Sequence, residues 1–469
     1  MAESELSTDE AKSLVAAIVQ LSEMAGRVLP PVQHPLVARV QAHLGAAMSV
    51  VPNTSLTLPP MEHANLQVAL NVLEAAADTW EVIGLQSDIS NYGGISLPSI
   101  VAGQWHGPPE AARQYEAVDI GLAEPLPCLR AGIVLTTFDG EPVAIMAYIS
   151  HRHMPELLIE VVGSTELAVN GFVERLRQLM DEHNVMRGKV MTFSFGRHGE
   201  FGMTFTTIEP IGRDQVIIPS ADLDAIEQHA IGISDHRDEL IAAGQHVKRG
   251  LLLYGPPGTG KTHTLSYLLH HMRGRTTVIL SGAAVGAVGQ AGTIARALQP
   301  ATIVIEDVDL IGMDRTLPGG DHNAILFQLL NEMDGLSADA DVLFILTTNR
   351  VDMLEPALSA RPGRIDQAIE IVLPDEDARR RLLELYLPDR IDVDVTDRVV
   401  ARTNGVAAAF IKELARRTTL AALQTRQSPS ECIEPSLTAL LEQSAPVLRR
   451  SLAGDIAQCS PSQPGASRS

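Results

Sequence analysis

The hydrophobic positions of this chain change their period along its length, and each change marks a different kind of structure. In the first part they recur at helical spacing. Leu66, Leu70, Leu73, Ala77 and Trp80 fall on one face of a predicted helix, and Ser7 with Glu10 forms a capping-box pattern before the apolar run Leu14–Leu21. The stretch Asn91–Pro109 breaks every period and reads as a linker or ordered loop. Beyond it the pattern turns to β. Gly132–Phe138 and Pro142–Ile149 flank Asp139-Gly140, a hairpin signal, and Leu157–Val162 is a third strand. Ser164 and Glu166 then open a helix whose buried face is Val169, Phe172, Val173, Leu176, Leu179 and Met180. Val190–Phe195 and Gly202–Thr207 form a second predicted hairpin.

From about residue 215 short, continuously apolar strands alternate with helical patterns. The strands are Leu251–Tyr254, Thr277–Leu280, Thr302–Ile305, Val342–Leu346 and Ala368–Leu373; Thr262–Met272 and Ala324–Met333 are helical. Uninterrupted apolar strands between helices imply a parallel sheet covered on both faces. Helices dominate from Glu376 to Arg450, and the Ser/Pro/Gly-rich tail predicts disorder. The expected organisation is a helical region over 1–109, an α+β domain over 110–214, an α/β domain with five parallel strands over 215–375, a helical subdomain over 376–450 and a disordered tail over 451–469.

Composition narrows the function. The chain is 45% hydrophobic, enough for a substantial core, and its 36 basic against 57 acidic side chains give a net charge of −21. That balance disfavours a nucleic-acid backbone as partner, so a motor working on DNA or RNA is the weakest reading. The excess is uneven. Residues 1–150 hold 16 acids against 5 bases, whereas 251–300 hold four bases and no acid, which is where a polyanion would be welcome. Cys128, Cys432 and Cys459 lie far apart without ligand-like spacing, which argues against a disulfide framework and for a reducing, cytoplasmic setting. No apolar run reaches 18 residues, so no membrane span is expected. His151-Arg-His153 and His270-His271 read as ordinary surface or structural histidines rather than metal ligands.

The chemistry starts at Gly255-Pro-Pro-Gly-Thr-Gly-Lys-Thr262, between a predicted strand and a predicted helix. This is the G-x-x-x-x-G-K-[ST] phosphate loop in its proper context. Its glycines let backbone N–H groups converge on phosphate oxygens, and the helix N-terminus adds positive potential. Lys261 is expected to reach the β- and γ-phosphates of a nucleotide and the Thr262 hydroxyl to ligate Mg²⁺. The expected nucleotide-binding set is therefore Gly255, Pro256, Pro257, Gly258, Thr259, Gly260, Lys261, Thr262 and His263. Thr302–Asp309 ends a strand in the consecutive carboxylates Glu306 and Asp307, which beside such a loop can support the Mg²⁺ shell and activate a water. Asn349, ending the next strand, can orient that water.

These elements together resemble an AAA ATPase module of the AAA-plus superfamily over about residues 215–450. Asn331–Leu336, Thr347-Thr-Asn-Arg350, Leu354–Leu358 and Arg361-Pro-Gly-Arg-Ile-Asp366 are similar to the family's second region of homology, and Gly405–Leu414 to the start of its helical lid. The resemblance implies an α/β P-loop sheet with a C-terminal helical lid, ATP and Mg²⁺ as cofactors, and a homo-oligomeric ring, usually a hexamer. It also implies mechanical work on macromolecules. It makes Asn349 the first sensor and Arg361 and Arg364 the arginine fingers entering a neighbouring subunit's site. The N-terminal 210 residues match no family by inspection and are expected to choose the protein client.

Four departures qualify that picture. The acidic pair runs Glu306-Asp307 instead of Asp-Glu, as in the branch resembling mitochondrial Rieske-protein translocases, to which the run-in Arg213–Gly250 is also similar. In the family register Glu306 supports the metal and Asp307 is the base. Asp is shorter than Glu by one carbon–carbon bond, about 1.5 Å, so the strand end must shift or a relay water intervene. Ala287-Val-Gly289 stands where the first pore loop carries an aromatic–aliphatic–Gly triplet; as an exposed tip it would lack the aromatic grip. Ser359-Ala360 adds one residue before Arg361, and Tyr386 takes the place of a lid histidine. No HExxH occurs, and the end Gly465–Ser469 lacks the hydrophobic–Tyr–X tail of relatives that dock on proteasome cores. The leading expectation is an ATP hydrolase that remodels or translocates proteins; the alternative is a nucleotide-gated scaffold with little turnover.

Overall fold

The computed structural model describes residues 34–45, 51–86, 96–102, 110–150, 155–195, 201–310, 328–329, 331–337, 339–350, 365–387 and 391–458. The chain divides into two compact units, Met1–Val185 and Met186–Ser469.

Among the described residues, the first unit is built on an antiparallel sheet of six strands: β1 (Asn53–Leu58), β2 (Trp80–Leu85), β3 (Glu110–Ala111), β6 (Ala131–Phe138), β7 (Glu141–Ser150) and β8 (Glu156–Gly163), in the order β1-β8-β7-β6-β2-β3. A separate ribbon pairs β4 (Tyr115–Val118) with β5 (Leu126–Leu129). Asp139 and Gly140 both have positive φ, 51° and 81°, and turn β6 into β7 with Phe138 opposite Glu141. That is the geometry the Asp-Gly pair favours. Alternation along β6 sends Ile133 and Leu135 to one face and Val134 to the other. On the first face lie α1 (Pro35–Leu44) and α3 (Leu97–Val101), with Leu36, Val40 and Ile100 buried against Met146. On the second lie α2 (His63–Ala76) and α4 (Glu166–Glu182), with Leu66, Phe172 and Leu176 packed on Ile145 and Ile159.

Three features differ from the sequence expectation. The region expected to be wholly helical contributes β1 and β2, which pair with β8 and β6. The helix predicted to reach Trp80 stops at Ala76; Ala77 is extended, and Trp80 opens β2 opposite Thr136. Apolar spacing continued the helical period across a break that sheet pairing exploits. Thr165 caps α4, its hydroxyl accepting the Ala168 amide, instead of Ser164.

In the second unit the expected strands are all present: β11 (Arg249–Tyr254), β12 (Thr276–Ser281), β13 (Ala301–Glu306), β14 (Val342–Thr348) and β15 (Gln367–Glu370). They run parallel, and the described sheet has seven strands in the order β10-β9-β12-β13-β14-β11-β15. The two additional strands are β9 (Val190–Phe195) and β10 (Phe201–Phe205), the hairpin expected to belong to the preceding domain. β9 lies parallel to β12, Val190 opposite Thr277, and β10 antiparallel to β9. The physical reason is the otherwise open edge of β12: Met191 and Phe193 of β9 are fully buried once it is covered.

Helices α5 (Ser220–Glu227), α7 (Lys261–His271) and α8 (Val288–Ala297) pack against the sheet, whereas the short α6 (Arg237–Ala242) buries no residue. The helices α9 (Glu376–Tyr386), α10 (Val393–Arg402), α11 (Ala408–Thr425) and α12 (Pro429–Gln458) form a lid with its own core of Leu383, Val400, Ile411, Leu414 and Ile433. Helix α12 extends to Gln458, past the boundary expected at residue 450.

At the N-terminal ends of the parallel strands three buried charges pin the sheet. Asp341, just before β14, accepts Arg249 Nη1 at 3.0 Å from β11 and Arg275 Nη1 at 2.9 Å from the start of β12. The guanidiniums also donate to the carbonyls of His229, Val247, Ala230 and Ala301, so almost every polar atom is served, as burial of charge requires.

The segment aligned with the first pore loop is not an exposed tip. Gly282–Ala287 is a 3₁₀ turn leading into α8, and Ala284, Val285, Ala287 and Val288 are buried beside β9. Ala287 is 0% exposed, so the reading of this segment as an exposed tip is overturned. Ala287→Tyr should destabilise the chain by about 1–3 kcal/mol through overpacking, read as a lower denaturation midpoint; an unchanged midpoint would contradict the burial.

Candidate active site

The C-terminal ends of β11, β13 and β14 converge on one edge of the sheet, which is where open α/β sheets bind ligands. β11 ends at Tyr254, and Gly255 follows with φ 140°. A Cβ at Gly255 would lie 2.4 Å from the Ile371 carbonyl oxygen, so only glycine fits between the loop and the segment after β15. Gly258 and Gly260 also have positive φ, 77° and 115°, and Gly260 caps α7. The Thr259 hydroxyl donates to the Pro256 carbonyl at 2.9 Å and fixes the turn.

Lys261 is the first residue of α7, yet its side chain turns back along the loop. Nζ donates to the carbonyls of Gly255 and Pro256, both at 2.9 Å, and the residue is only 6% exposed. Burial lowers its pKa, while the nearby Asp307 and Asp309 oppose that shift. Thr262 donates a side-chain hydrogen bond to Glu306. The Glu306 carboxyl is raised above its ordinary range, first by burial and then by Asp307, with the Thr262 bond working against both. A half-buried carboxylate beside an exposed hydroxyl offers oxygen donors of the kind that suit a divalent cation; Thr262 and Glu306 are the residues that would hold Mg²⁺. His263 points elsewhere: its Nε2 lies 3.1 Å from the Gln215 carbonyl, so its ring anchors the run-in segment.

Glu306 is the last residue of β13, and the backbone leaves extended geometry at Asp307, whose φ is 50°. Asn349 Nδ2 is 3.4 Å from Asp307 Oδ1, and the Asp307 amide donates to the Thr347 hydroxyl at 3.0 Å. Lys261, Thr262, Glu306, Asp307 and Asn349 are therefore brought together. Arg361 and Arg364 lie outside the described residues.

Two features of the site escaped the sequence reading. The Ala409 amide, at the start of α11, donates to the Gly258 carbonyl at 2.9 Å, so the lid rests directly on the phosphate loop. A Cβ at Gly258 would stand 3.0 Å from Ala409 Cβ; the run of small residues Ala407–Ala409 was the available signal. In the run-in, Val216 and Ile218 pack into the core under the sheet while Ile217 packs into the lid core. Tyr386 sits at the edge of the lid core with Lys412 Nζ 5.6 Å from its ring centroid.

A phosphate loop at the end of the central strand, acids on the neighbouring strand end and a helical lid touching the loop define a P-loop ATPase domain. Residues 251–373 match the model of the ATPase family associated with various cellular activities (AAA), and this part of the chain is an AAA-family ATPase domain. The chain is 36% identical over 163 residues to the 26S protease regulatory subunit 6A of Caenorhabditis elegans, covering 32% of this chain and 38% of that protein. It is 36% identical over 194 residues to the proteasome-activating nucleotidase of Pyrococcus abyssi (38% and 48%) and 33% identical over 247 residues to the ATP-dependent zinc metalloprotease FtsH of Nitrosococcus oceani (48% and 38%). It spans less than half the length of each of these three relatives. Among the described residues no helix is long and apolar enough to cross a membrane.

Proposed function

We propose that the chain hydrolyses ATP and uses the lid movement to remodel protein clients as a homo-oligomeric ring, a hexamer by analogy with the family. The observation that carries this reading is the convergence of Lys261, the Thr262–Glu306 pair, Asp307 and Asn349 at the ends of three adjacent strands. Lys261 and the loop amides bind and neutralise the phosphates. Asp307 takes a proton from the attacking water and Asn349 orients it. Bound Mg²⁺ would neutralise charge developing on the phosphates, held by Thr262 and Glu306. Arg361 and Arg364 are the fingers supplied to a neighbouring copy. The reversed acidic pair is what draws the reading toward the branch resembling Rieske-protein translocases. The names of the relatives, a protease subunit and an activator of the proteasome among them, support a protein client. A scaffold that binds ATP but turns over slowly is the second reading, favoured by the short reach of Asp307.

Phosphate release and native mass measured on one sample test this. Lys261→Ala and Arg361→Ala should each be nearly inactive, because a finger supplied in trans is worth roughly 10³–10⁵ in rate. Their mixture should regain activity under subunit exchange. Wild-type turnover in Lys261→Ala would sink the proposal, and ATP-dependent assembly without phosphate release would establish the scaffold.

A further inference from the structure

The backbone ladder between β13 and β14 stops at Ile305 opposite Leu346. Past that point the two strand ends are held by side chains, reciprocally. The Thr347 hydroxyl on β14 accepts the Asp307 amide at 3.0 Å. In return Asp309 Oδ1 accepts the Asn349 amide at 3.0 Å and the Thr348 hydroxyl at 2.8 Å. The Thr348 oxygen in turn accepts the Arg350 amide at 2.9 Å, which closes the turn after β14. The segment so held includes Asp307 in a left-handed conformation that a non-glycine side chain keeps only where its surroundings over-determine it.

We infer that Asp309, which the proposed chemistry does not use, is the positioning residue for the Asp307–Asn349 pair: its carboxylate clamps the end of β14 so that Asn349 Nδ2 faces Asp307 Oδ1. The inference rests on the reading of this site as one that hydrolyses ATP. The Asp309 bonds to Asn349 and Thr348 are made by a charged acceptor, which gives them about twice the strength of neutral ones. They act on the very residue whose amide side chain must be aimed. Losing them would let Asn349 swing while Lys261 and the phosphate loop, tied to Gly255 and Pro256, stay where they are. The expected signature is therefore slower chemistry with unchanged nucleotide affinity.

The test measures kcat and KM for ATP in the full chain for wild type, Asp309→Ala, Asp309→Asn, Asn349→Ala and the double variant Asp309→Ala/Asn349→Ala, with a thermal melt of each. Asp309→Ala should lower kcat by about 10- to 100-fold, the scale of a small misplacement of a reacting group, and leave KM unchanged. Asp309→Asn should recover part of the rate, since its amide oxygen still accepts. The double variant should be no slower than Asn349→Ala alone, because Asp309 acts through Asn349. Multiplying losses, or a raised KM with normal kcat, would overturn the inference and point to Asp309 acting on Lys261 instead. Should Asp309→Ala fail to fold, Asp309→Asn and Thr348→Val carry the test, and a wild-type kcat in both overturns it. Wild-type turnover with a normal Asp309→Ala rate defeats this inference alone; no turnover in the wild-type chain defeats the ATP reading and this inference with it.

Discussion

Asp307→Asn should lower steady-state ATP hydrolysis by at least about 10²-fold, within the 10²–10⁴-fold typical of general-base work, while ATP affinity and ATP-dependent assembly persist. The substitution keeps the size of the side chain but removes the carboxylate proposed to take the proton. Glu306→Gln is the informative contrast. Glu306 is the acid hydrogen-bonded to Thr262, so its loss should raise the Mg²⁺ concentration needed for activity before it lowers the maximal rate. The two carboxylates are adjacent in sequence, and the proposed reading gives them different tasks on either side of the left-handed backbone at Asp307. Phosphate-release assays across a Mg²⁺ titration separate them. An Asp307→Asn protein working at the wild-type rate would make Glu306 the base.

The largest expected effect on stability lies at the opposite end of the sheet. Asp341→Ala should destabilise the second unit by about 3–5 kcal/mol, the cost of leaving a buried ion-pair partner uncompensated. Here two guanidiniums are left, one on β11 and one leading into β12; burial first, and then Arg275, lowers the pKa of Arg249. Burial alone would raise the Asp341 carboxyl, but the hydrogen bonds and charges of Arg275 and Arg249 outweigh it and hold the carboxyl below its ordinary range. Because the folded value is depressed, the stabilisation from this group is complete above the unfolded value near 3.9 and is lost as pH falls through the folded value. Wild type should therefore lose stability on the acid side of about pH 4, whereas Asp341→Ala should lack that component of the acid limb. Denaturant melts of both between pH 3 and pH 7 measure it; equal midpoints at pH 7 would refute the pin.

The parts legible in the sequence were those set by local pattern. Continuously apolar strands, the phosphate loop at a strand–helix junction and Asp139-Gly140 each dictate their own geometry, and each is found where its pattern predicts. What the pattern did not carry was pairing between distant segments. Val190–Phe195 reads as a strand on its own, but nothing local says that its partner is Thr277–Ile279 rather than the sheet before it. Trp80 fits a helical face and a strand equally well, and only Thr136 across the sheet decides. Ala287 was placed by alignment to a family position, and its burial depends on β9, whose own location was not readable. In the site, residue types were predictable while the left-handed turn at Asp307 and the contact between Ala409 and Gly258 were not, since both arise where separate elements meet.

The three residues Val216-Ile217-Ile218 give the lid a mechanical linkage. Consecutive residues of an extended strip point to opposite sides, and here the two sides are different bodies: Val216 and Ile218 are rooted beneath the sheet, Ile217 in the lid. The strip works like a rack engaged by two gears. A lid that rotates must either disengage Ile217, exposing an apolar side chain to water, or carry the strip with it and strain the roots on both sides. With Ala409 seated on Gly258, the lid bears on the phosphate loop at one point and on this strip at another. If the proposed ATP turnover develops torque at the loop, that torque has a second exit, along the chain that runs back from Val216 toward β10.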